Sequence, residues 1–469
     1  MTDSARALNR FGLGARLGET PPADPQRWLT EQLTQFEPRP APIASALQSP
    51  ALIEMLRASR DERQELKVEA NQTGTDPKTL RQQNKQAGMA GPYADLSDAY
   101  VAAVGARTTV ALSTQTPFAE RLVYFWSNHF AVSVDKIVTV GLAGAFEFEA
   151  IRPHVMGKFA DLLSAVERHP AMLLYLDQAQ SVGPASPLGA RAAQRGKQRG
   201  LNENLAREIM ELHTLGVRSG YSQADVTEFA RALTGWTVGG LAKQPLLQGP
   251  GPQFWFAAPI HEPGARTVLG KRYGQPGEAQ AQAVLADLAV HPATARHLAT
   301  KLALHFAADD PPPALIARLE QAFLQSGGDL PTVYRALIAA PEVWSGAPKF
   351  RTPWEWTVAA LRGTGITAVP GKSAAVTFQQ LGQPIWKPGS PAGYDDLAAS
   401  WAGPDALYRR VELAERIAER SAPTIDARKL GPALFPGNLS PATATAMVRA
   451  ESGPQALALL LASPEMMRR

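Results

Sequence analysis

Cysteine is absent from the 469 residues, and its absence excludes several kinds of site. Disulfides, thiolate nucleophiles, iron–sulfur clusters and zinc–cysteine centres cannot form. The sequence also lacks an apolar run of membrane-spanning length. Its start, MTDSARALNRFGLG, lacks the apolar core of a signal peptide. We therefore expect a protein without a membrane span, cytoplasmic as written, or periplasmic if the start has been trimmed.

Several catalytic motifs are also missing. The sequence contains no GxGxxG that opens a helix after a strand, no P-loop, no GxSxG and no HExxH. Nucleotide-dependent and serine-hydrolase chemistry therefore have no support, and no cofactor is predicted. The formal net charge of +4 is too small, without a basic helix, to predict nucleic-acid binding.

The composition, with 45% hydrophobic and 19% charged residues, is typical of a folded protein. Helical periodicity recurs along the whole chain, whereas strand-like alternation occurs only around Trp255 and Val268. We predict a mainly α fold, a large multi-helix domain with one small β-hairpin at 253–273 and an irregular loop at 381–393. Within a single unit, 1–469, we distinguish a polar helical arm (51–91), a basic loop (181–200), an irregular region with the hairpin (237–276) and a C-terminal helical arm (400–469).

The stretch 199–236 holds the densest set of charged residues. Asn202 or Asn204 can cap a first helix that Gly216 ends, and Ser222 can cap a second helix with Asp225 in its first turn. We call these two segments the central helices. They carry five carboxylates, two arginines and one histidine within about 30 residues.

Two carboxylates three residues apart, Glu208 and Glu211, share one helix face. Their repulsion should raise the pKa of one of them, which is how acid–base pairs for glycoside hydrolysis and some lyases arise. The predicted catalytic residues are Glu203, Glu208, Glu211, His213, Asp225 and His261. The predicted substrate-binding residues are Asn128, His129, Asn204, Arg207, Arg231 and Trp236.

Two other interpretations of the same residues remain open. The central helices can be surface helices laced by ion pairs such as Arg207 with Glu211. Alternatively, His129, His213 and His261 could bind a divalent metal together with the carboxylates. No pair has a recognised metal-ligand spacing, so no metal ligand is assigned.

Histidines outside the central helices lead to three further expectations. His261 lies in a turn rich in glycine and proline, and we expect it against the central helices near Glu208, Glu211 or His213. Asn128 and His129 lie in an apolar helix, where the central carboxylates are natural partners. His297, Lys301 and His305 share one helix face, where we favour structural or interfacial roles.

Basic residues in the loop 181–200 offer two readings. The loop carries Arg191, Arg195, Lys197 and Arg199. Such charges are usually solvated, but they could also form a lid that brings cations over an anionic or polyhydroxylated ligand.

Long segments resemble one bacterial family. NENLAREIMELHTLGV with GYSQADVTEFARALTGW, together with LNRFGLGAR, RLVYFWSNHFAVS, HPAMLLYLD, HEPGARTVLGK, HPATARHLATKLALHF and KFRTPWEW, resemble the family catalogued as domain of unknown function 1800. The resemblance implies a mostly helical fold but no reaction. Genes of this family often neighbour genes for sulfatase- and phosphatase-like proteins, which implies a partner of that kind.

Together these features lead to two functional hypotheses. The first is an enzyme, a hydrolase or lyase, that uses carboxylate and histidine acid–base chemistry on a carbohydrate or another polar cell-envelope substrate. The alternative is a non-catalytic binding or assembly partner of a sulfatase- or phosphatase-like protein, with Trp236, Trp255, Trp386 and Trp401 on its binding surface.

Overall fold

The structure, a computed structural model, describes residues 2–76, 79–80, 91–196, 200–242 and 244–469. Part of the predicted polar arm (77–78 and 81–90) and part of the predicted basic loop (197–199, with Lys197 and Arg199) lie outside these residues. The fold is mainly α-helical with two small β-hairpins, which confirms the predicted fold class.

Helices in the first half of the chain begin with recurring signals, a capping side chain or a proline in the first turn. Ser222 and Asp225 form a capping box, as their positions predict. The α-helices with described bounds in this half include Asp3–Arg6, Pro25–Gln35, Ala41–Ala44, Ser49–Thr73, Pro92–Ser113, Pro117–His129, Leu142–Phe146, Phe159–Arg168, Pro170–Tyr175, Pro187–Gln194, Asn204–Glu208 and Gln223–Leu233.

Most helices in the second half begin with the same signals, and Thr352 with Glu355 forms another capping box. Glu278–Ala289 and Ala398–Trp401 begin with neither signal. These α-helices are Glu278–Ala289, Pro292–Phe306, Pro313–Ser326, Leu330–Ala339, Pro341–Trp344, Pro353–Gly363, Gly371–Gln380, Ala398–Trp401, Pro404–Ser421, Ala427–Leu434, Pro441–Arg449, Gly453–Leu461 and Pro464–Met467. The 3-10 helices of the chain are Ile137–Thr139, Arg152–His154, Gln178–Gln180, Pro245–Leu247 and Ala258–Ile260.

Three segments wind as π-helix, a rare form that often marks functional sites. They are Ala7–Phe11, Glu147–Ile151 and Ile209–His213. The last one changes the predicted central helix, because only Asn204–Glu208 is α-helical and the following turn is wider. Glu203 stands at the N-cap position without a side-chain cap bond. The side chain of Asn202 instead accepts from the backbone N–H of Asn204.

The strands pair differently from the prediction of a single hairpin at 253–273. Strand β1 (Trp236–Val238) pairs antiparallel with β2 (Phe254–Phe256), and β3 (Arg266–Val268) pairs with β4 (Lys271–Tyr273). The predicted strand around Trp255 therefore bonds back to Trp236, directly after the second central helix. The prediction failed because the three residues of β1 are too few to show alternation.

The region 181–200 is not a simple loop, since it contains the Pro187–Gln194 helix. The Ser186 side chain accepts from the backbone N–H of Gly189, and Pro187 follows this cap. These helix-start signals were present in the sequence.

One large cluster of buried apolar side chains runs from Ala7 to Met467 and joins both ends of the chain. The helices of the predicted C-terminal arm take part in it, through residues such as Leu430 and Leu457. None of the helices in the described ranges combines the length and apolar character that crossing a bilayer requires.

Candidate functional site

The central helices present a polar surface held together by side-chain bonds. Glu203 accepts hydrogen bonds from Arg207 (3.2 Å), Gln223 (2.8 Å) and Thr227 (2.7 Å), and these bonds join the first helix to the second. Arg207 also pairs with Glu211 at 3.6 Å. The ion pair between Arg207 and Glu211 is therefore formed, as the surface-helix interpretation predicts. Asn204 is exposed at the start of the first helix.

The pKa of Glu208 is raised, but not mainly by the repulsion from Glu211 on which the prediction was based. Burial raises the pKa of Glu208, the charge of His213 opposes this, and the charge of Glu211 adds to it. The larger cause is thus burial and not repulsion. In the second helix, Asp225 forms the capping box with Ser222 and also accepts a hydrogen bond from the backbone N–H of Leu269 at 2.7 Å. This carboxylate therefore joins the β3–β4 hairpin to the helix.

His213 and His129 are buried beside one another. The Nδ1 of His213 lies 2.7 Å from Oε1 of Glu167, and both side chains are buried. The Nε2 of His129 lies 3.1 Å from the backbone oxygen of His213. His129 therefore reaches the predicted helix, but its partner there is a carbonyl and not a carboxylate. Burial lowers the pKa of His129 well below its ordinary value, and Lys301 lowers it further.

His261 contacts the end of the second central helix. Its Nδ1 lies 2.7 Å from the backbone oxygen of Thr234, and its ring packs edge-on against Phe256. Among the described residues, no hydrogen bond or ion pair joins His261 to Glu208, Glu211 or His213.

Two predicted binding residues contribute differently from expectation. Trp236 is fully buried in β1 and packs edge-on against Phe254, so it forms part of the core and not a binding surface. Arg231 pairs with Glu228, which also pairs with Arg266 at 3.4 Å. These contacts join the second helix to β3.

A cavity of about 460 Å³ lies elsewhere in the fold. Its volume falls within the range of small-molecule sites, roughly 300–1,000 Å³. Of the twelve residues that the sequence predicted for the site, Asn128 and His129 line it. Its other lining residues include Arg107, Arg121, Lys301, His305, Trp354, Glu355, Gln383, Trp386, Gly393, Tyr394 and Asp396.

Lys301 is a half-buried lysine on the wall of the cavity, in the Pro292–Phe306 helix. It makes no hydrogen bond or ion pair with any residue in the described ranges. Burial lowers its pKa to about 8, against the attraction of Asp396. Burial favours the neutral amine because a charged ammonium loses hydration there. Lys301 therefore titrates close to neutral pH.

One turn further along the same helix, His305 pairs with Asp396. The Nδ1 of His305 lies 2.6 Å from Oδ2 of Asp396. Burial lowers the pKa of His305, and the attraction of Asp396 does not outweigh it because Arg469 and Arg121 repel the protonated ring. The pKa of Asp396 is lowered by His305, Arg469 and Lys349, although burial opposes this. We take the pair as neutral histidine and carboxylate, so His305 Nδ1–H donates to Asp396.

Buried arginines surround the other carboxylate of the cavity. Glu355 pairs with Arg121 and, at 2.9 Å, with Nε of Arg469. Their charges hold the pKa of Glu355 well below its ordinary value although burial opposes this. Glu355 also caps its own helix through the backbone N–H of Thr352 at 2.9 Å, so the carboxylate is fixed in position.

The loop that follows Leu381 forms one side of the cavity. Asn128 accepts from the backbone N–H of Tyr394 at 2.7 Å and donates to its carbonyl at 2.8 Å. Gly393 has a φ of +84°, and a Cβ there would lie 2.7 Å from Oδ1 of Asn128. The close approach therefore requires glycine. The loop predicted to be irregular is held in one conformation by Asn128.

Three aromatic rings in the cavity wall make cation–π contacts with one arginine. The guanidinium of Arg107 lies 4.5 Å from the ring centres of Tyr124 and Trp354 and 5.3 Å from that of Trp386. It also pairs with Glu147 at 3.0 Å. These cation–π contacts fix the wall of the cavity. No group of three or more histidine, aspartate or glutamate side chains in the described residues is arranged to hold a metal ion.

The sequence contained the cavity's residues but not their association. Lys301 and His305 are four residues apart on one helix face, which was visible, but we favoured structural roles for them. The other charged residues of this region, Asp396, Glu355 and Arg469, come from segments about 50 to 170 residues away. No local pattern predicts which distant carboxylate reaches a given histidine.

Comparison with known proteins identifies one family. No curated protein and no solved structure matches the chain. Residues 6–468 match the model of a family described as protein of unknown function (DUF1800). Because this match covers nearly the whole chain, the protein belongs to the DUF1800 family.

Proposed function

We propose that this protein is an enzyme that transfers protons through Lys301 in the cavity, acting on a carbohydrate or another polar cell-envelope substrate. The observation that carries the proposal is an amine on a cavity wall without a hydrogen-bond or ion-pair partner in the described chain. Partial burial removes hydration from the ammonium, and no contact with a described residue replaces that hydration.

Lys301 suits general acid catalysis at neutral pH. With a pKa of about 8, roughly nine in ten molecules carry the ammonium at pH 7. The ammonium can donate a proton to a leaving-group oxygen, and the resulting amine can accept one again from water. A proton donor is most effective when its pKa lies near the working pH. This chemistry fits a hydrolase or a lyase.

Asp396 affects the pKa of Lys301 directly, and His305 acts through Asp396. Asp396 attracts the ammonium and counteracts part of the effect of burial on its pKa. His305 holds Asp396 through the 2.6 Å contact, and its ring lines the same cavity. His305 and Asp396 are therefore positioning residues for the amine in this proposal.

Kinetics with a substrate panel test the proposal. The panel contains chromogenic glycosides, acyl esters and uronate-containing oligosaccharides. For the substrate that the wild type converts, Lys301→Met should lower kcat by about 10²–10⁴, the range of general acid–base catalysis. Lys271→Met is the matched control, because Lys271 lies on β4 and pairs with Asp287. A Lys301→Met protein that folds and keeps the wild-type kcat contradicts the proposal.

The non-catalytic partner hypothesis leads to a different result with the same variants. A binding or assembly partner of a sulfatase- or phosphatase-like protein needs its surface and not the amine of a cavity. If no member of the panel is converted and Lys301→Met still supports the cellular role of the wild type, that hypothesis is favoured.

A further inference from the structure

The cavity is surrounded by more side-chain cations than carboxylates. Arg121, Arg351, Arg410, Arg469 and Lys349 are buried in one region around Glu355 and Asp396. Asp309 pairs with Lys349 at 2.7 Å and provides a third carboxylate. Five cations thus face three anions, before Lys301 is counted.

Two of these arginines form no ion pair with a carboxylate among the described residues. Arg351 donates to the carbonyl of Met466 at 2.8 Å and to the side chain of Asn9 at 2.7 Å. Arg410 donates to the carbonyl of Arg351 at 3.0 Å. These hydrogen bonds to neutral oxygens do not neutralise the charges of Arg351 and Arg410. A buried excess charge of one sign favours a ligand of the opposite sign.

Arg121 brings this charge to the cavity wall. Its Nε donates to the carbonyl of Gly12 at 2.8 Å, and its Nη1 bonds Glu355. Its Nη2 has no hydrogen bond to a described residue, and Arg121 lines the cavity. The guanidinium is therefore fixed on two sides, and one donor group is left for a ligand.

We propose that the substrate carries an anionic group, a carboxylate or a phosphate or sulfate ester, which binds at Arg121 while Lys301 transfers the proton. This inference rests on the proposed function for the role of Lys301, and it adds the charge class of the substrate. It also gives a role to a fixed arginine in the same cavity as Lys301, because an anchored anion would place the reacting oxygen at a constant distance from the amine.

The test follows the indole N–H resonance of Trp354, which lines the cavity beside Glu355. The ¹⁵N-labelled protein is titrated with D-glucuronate, inorganic phosphate, inorganic sulfate and D-glucose, at constant ionic strength set with sodium chloride. At least one of the three anions should give a saturable shift of the Trp354 signal, and D-glucose should give none. The glucuronate arm represents a carboxylate, and the phosphate and sulfate arms represent the ester groups.

An arginine variant with a matched control completes the test. Arg121→Lys keeps the charge but loses the planar donor pair, so it should weaken the effective anion by about tenfold. Arg296→Lys, on the same helix as Lys301 but paired with Glu320 at 3.0 Å, should leave the affinity unchanged. The buried Trp236 indole should not shift in any titration. The inference is overturned if no anion saturates the Trp354 signal, if D-glucose acts equally, or if Arg121→Lys binds like the wild type.

Failure of this inference can be distinguished from failure of the proposed function. Lys301→Met leaves Arg121 in place, so this variant should still give the saturable shift even though its turnover is lost. If turnover depends on Lys301 but no anion binds, the proposed function stands and the anionic substrate is contradicted. If an anion binds but Lys301→Met keeps full turnover, the anion site stands and the role of Lys301 is contradicted.

Discussion

His305 and Asp396 are in hydrogen-bond contact at 2.6 Å although 91 residues separate them in the sequence. The contact joins the Pro292–Phe306 helix to the end of the loop that follows Leu381. Both segments line the cavity. The position of Lys301 relative to its neighbours therefore depends on a bond between distant parts of the chain.

The pKa of Lys301 can be measured without a substrate. We expect its reaction with trinitrobenzenesulfonate, followed by peptide mass spectrometry, to increase with pH around a midpoint of about 8. Lys271, paired with Asp287 on the surface, is the internal reference. Only the neutral amine reacts, so a lowered pKa makes Lys301 reactive at lower pH. A midpoint near 10.5 would show that burial does not shift this amine.

Replacement of Glu208 by glutamine distinguishes the cavity from the central helices. Glu208 does not line the cavity, so turnover should stay within about twofold of the wild type. Burial raises the pKa of this carboxyl, so its ionisation costs stability as pH rises through that pKa. Glu208→Gln should therefore stabilise the fold at pH 7, by about 0.5 kcal/mol.

Urea unfolding and steady-state kinetics of the same preparation measure both effects. Glu211→Gln is the companion variant, since Glu211 pairs with Arg207 on the same helix face. A loss of turnover of more than about tenfold in Glu208→Gln, with the fold intact, would favour the site predicted from the sequence.

The sequence was sufficient for the parts of the fold that depend on local signals. The capping box of Ser222 and Asp225 and the helical class follow from propensity, caps and periodicity. The pairing of β1 with β2 did not follow, because it joins strands that are separated by the 15 residues between Val238 and Phe254. The π-helical turn at Ile209–His213 also has no simple local signal.

The site was harder to predict than the fold, for an electrostatic reason. Charged residues clustered in sequence, such as Glu203 and Arg207, satisfy one another on the surface. The buried charges of the cavity are instead dispersed along the chain, as Arg121 and Glu355 show with 234 residues between them. The charges that are dense in the sequence therefore lie on a solvated surface. The charges that line the cavity are isolated in the sequence, within apolar helices.

A methyl group at Gly393 should disturb the cavity. Alanine would strain a backbone with φ of +84°, and its Cβ would clash with Asn128. We expect Gly393→Ala to lower the free energy of unfolding by about 1–3 kcal/mol. Turnover should fall further than this loss of stability explains, because the loop carries Asp396 towards His305.

Thermal unfolding and kinetics below the unfolding range separate these two effects. Gly382→Ala is the matched control, because it also has a positive φ, of +82°, but a Cβ there meets no atom within 4 Å. It should cost backbone strain without altering the cavity. Equal turnover in the two variants would show that the contact with Asn128 has no role in the site.

The last prediction concerns acid stability, which His297 should control. Burial and, to a smaller extent, the charge of Lys301 lower the pKa of His297 to about 4. In the unfolded chain the histidine takes up a proton near pH 6.5, whereas in the fold it stays neutral until about pH 4. The unfolded state thus binds more protons between these values, and stability falls as pH falls through this window. The shift corresponds to about 3 kcal/mol.

His297 lies 3.0 Å from the carbonyl of Leu212, and glutamine can donate to the same oxygen. We therefore expect His297→Gln to lose about 3 kcal/mol less than the wild type between pH 6.5 and 4, measured by urea unfolding across that range. Parallel curves for the two proteins would show that His297 is not the residue that titrates.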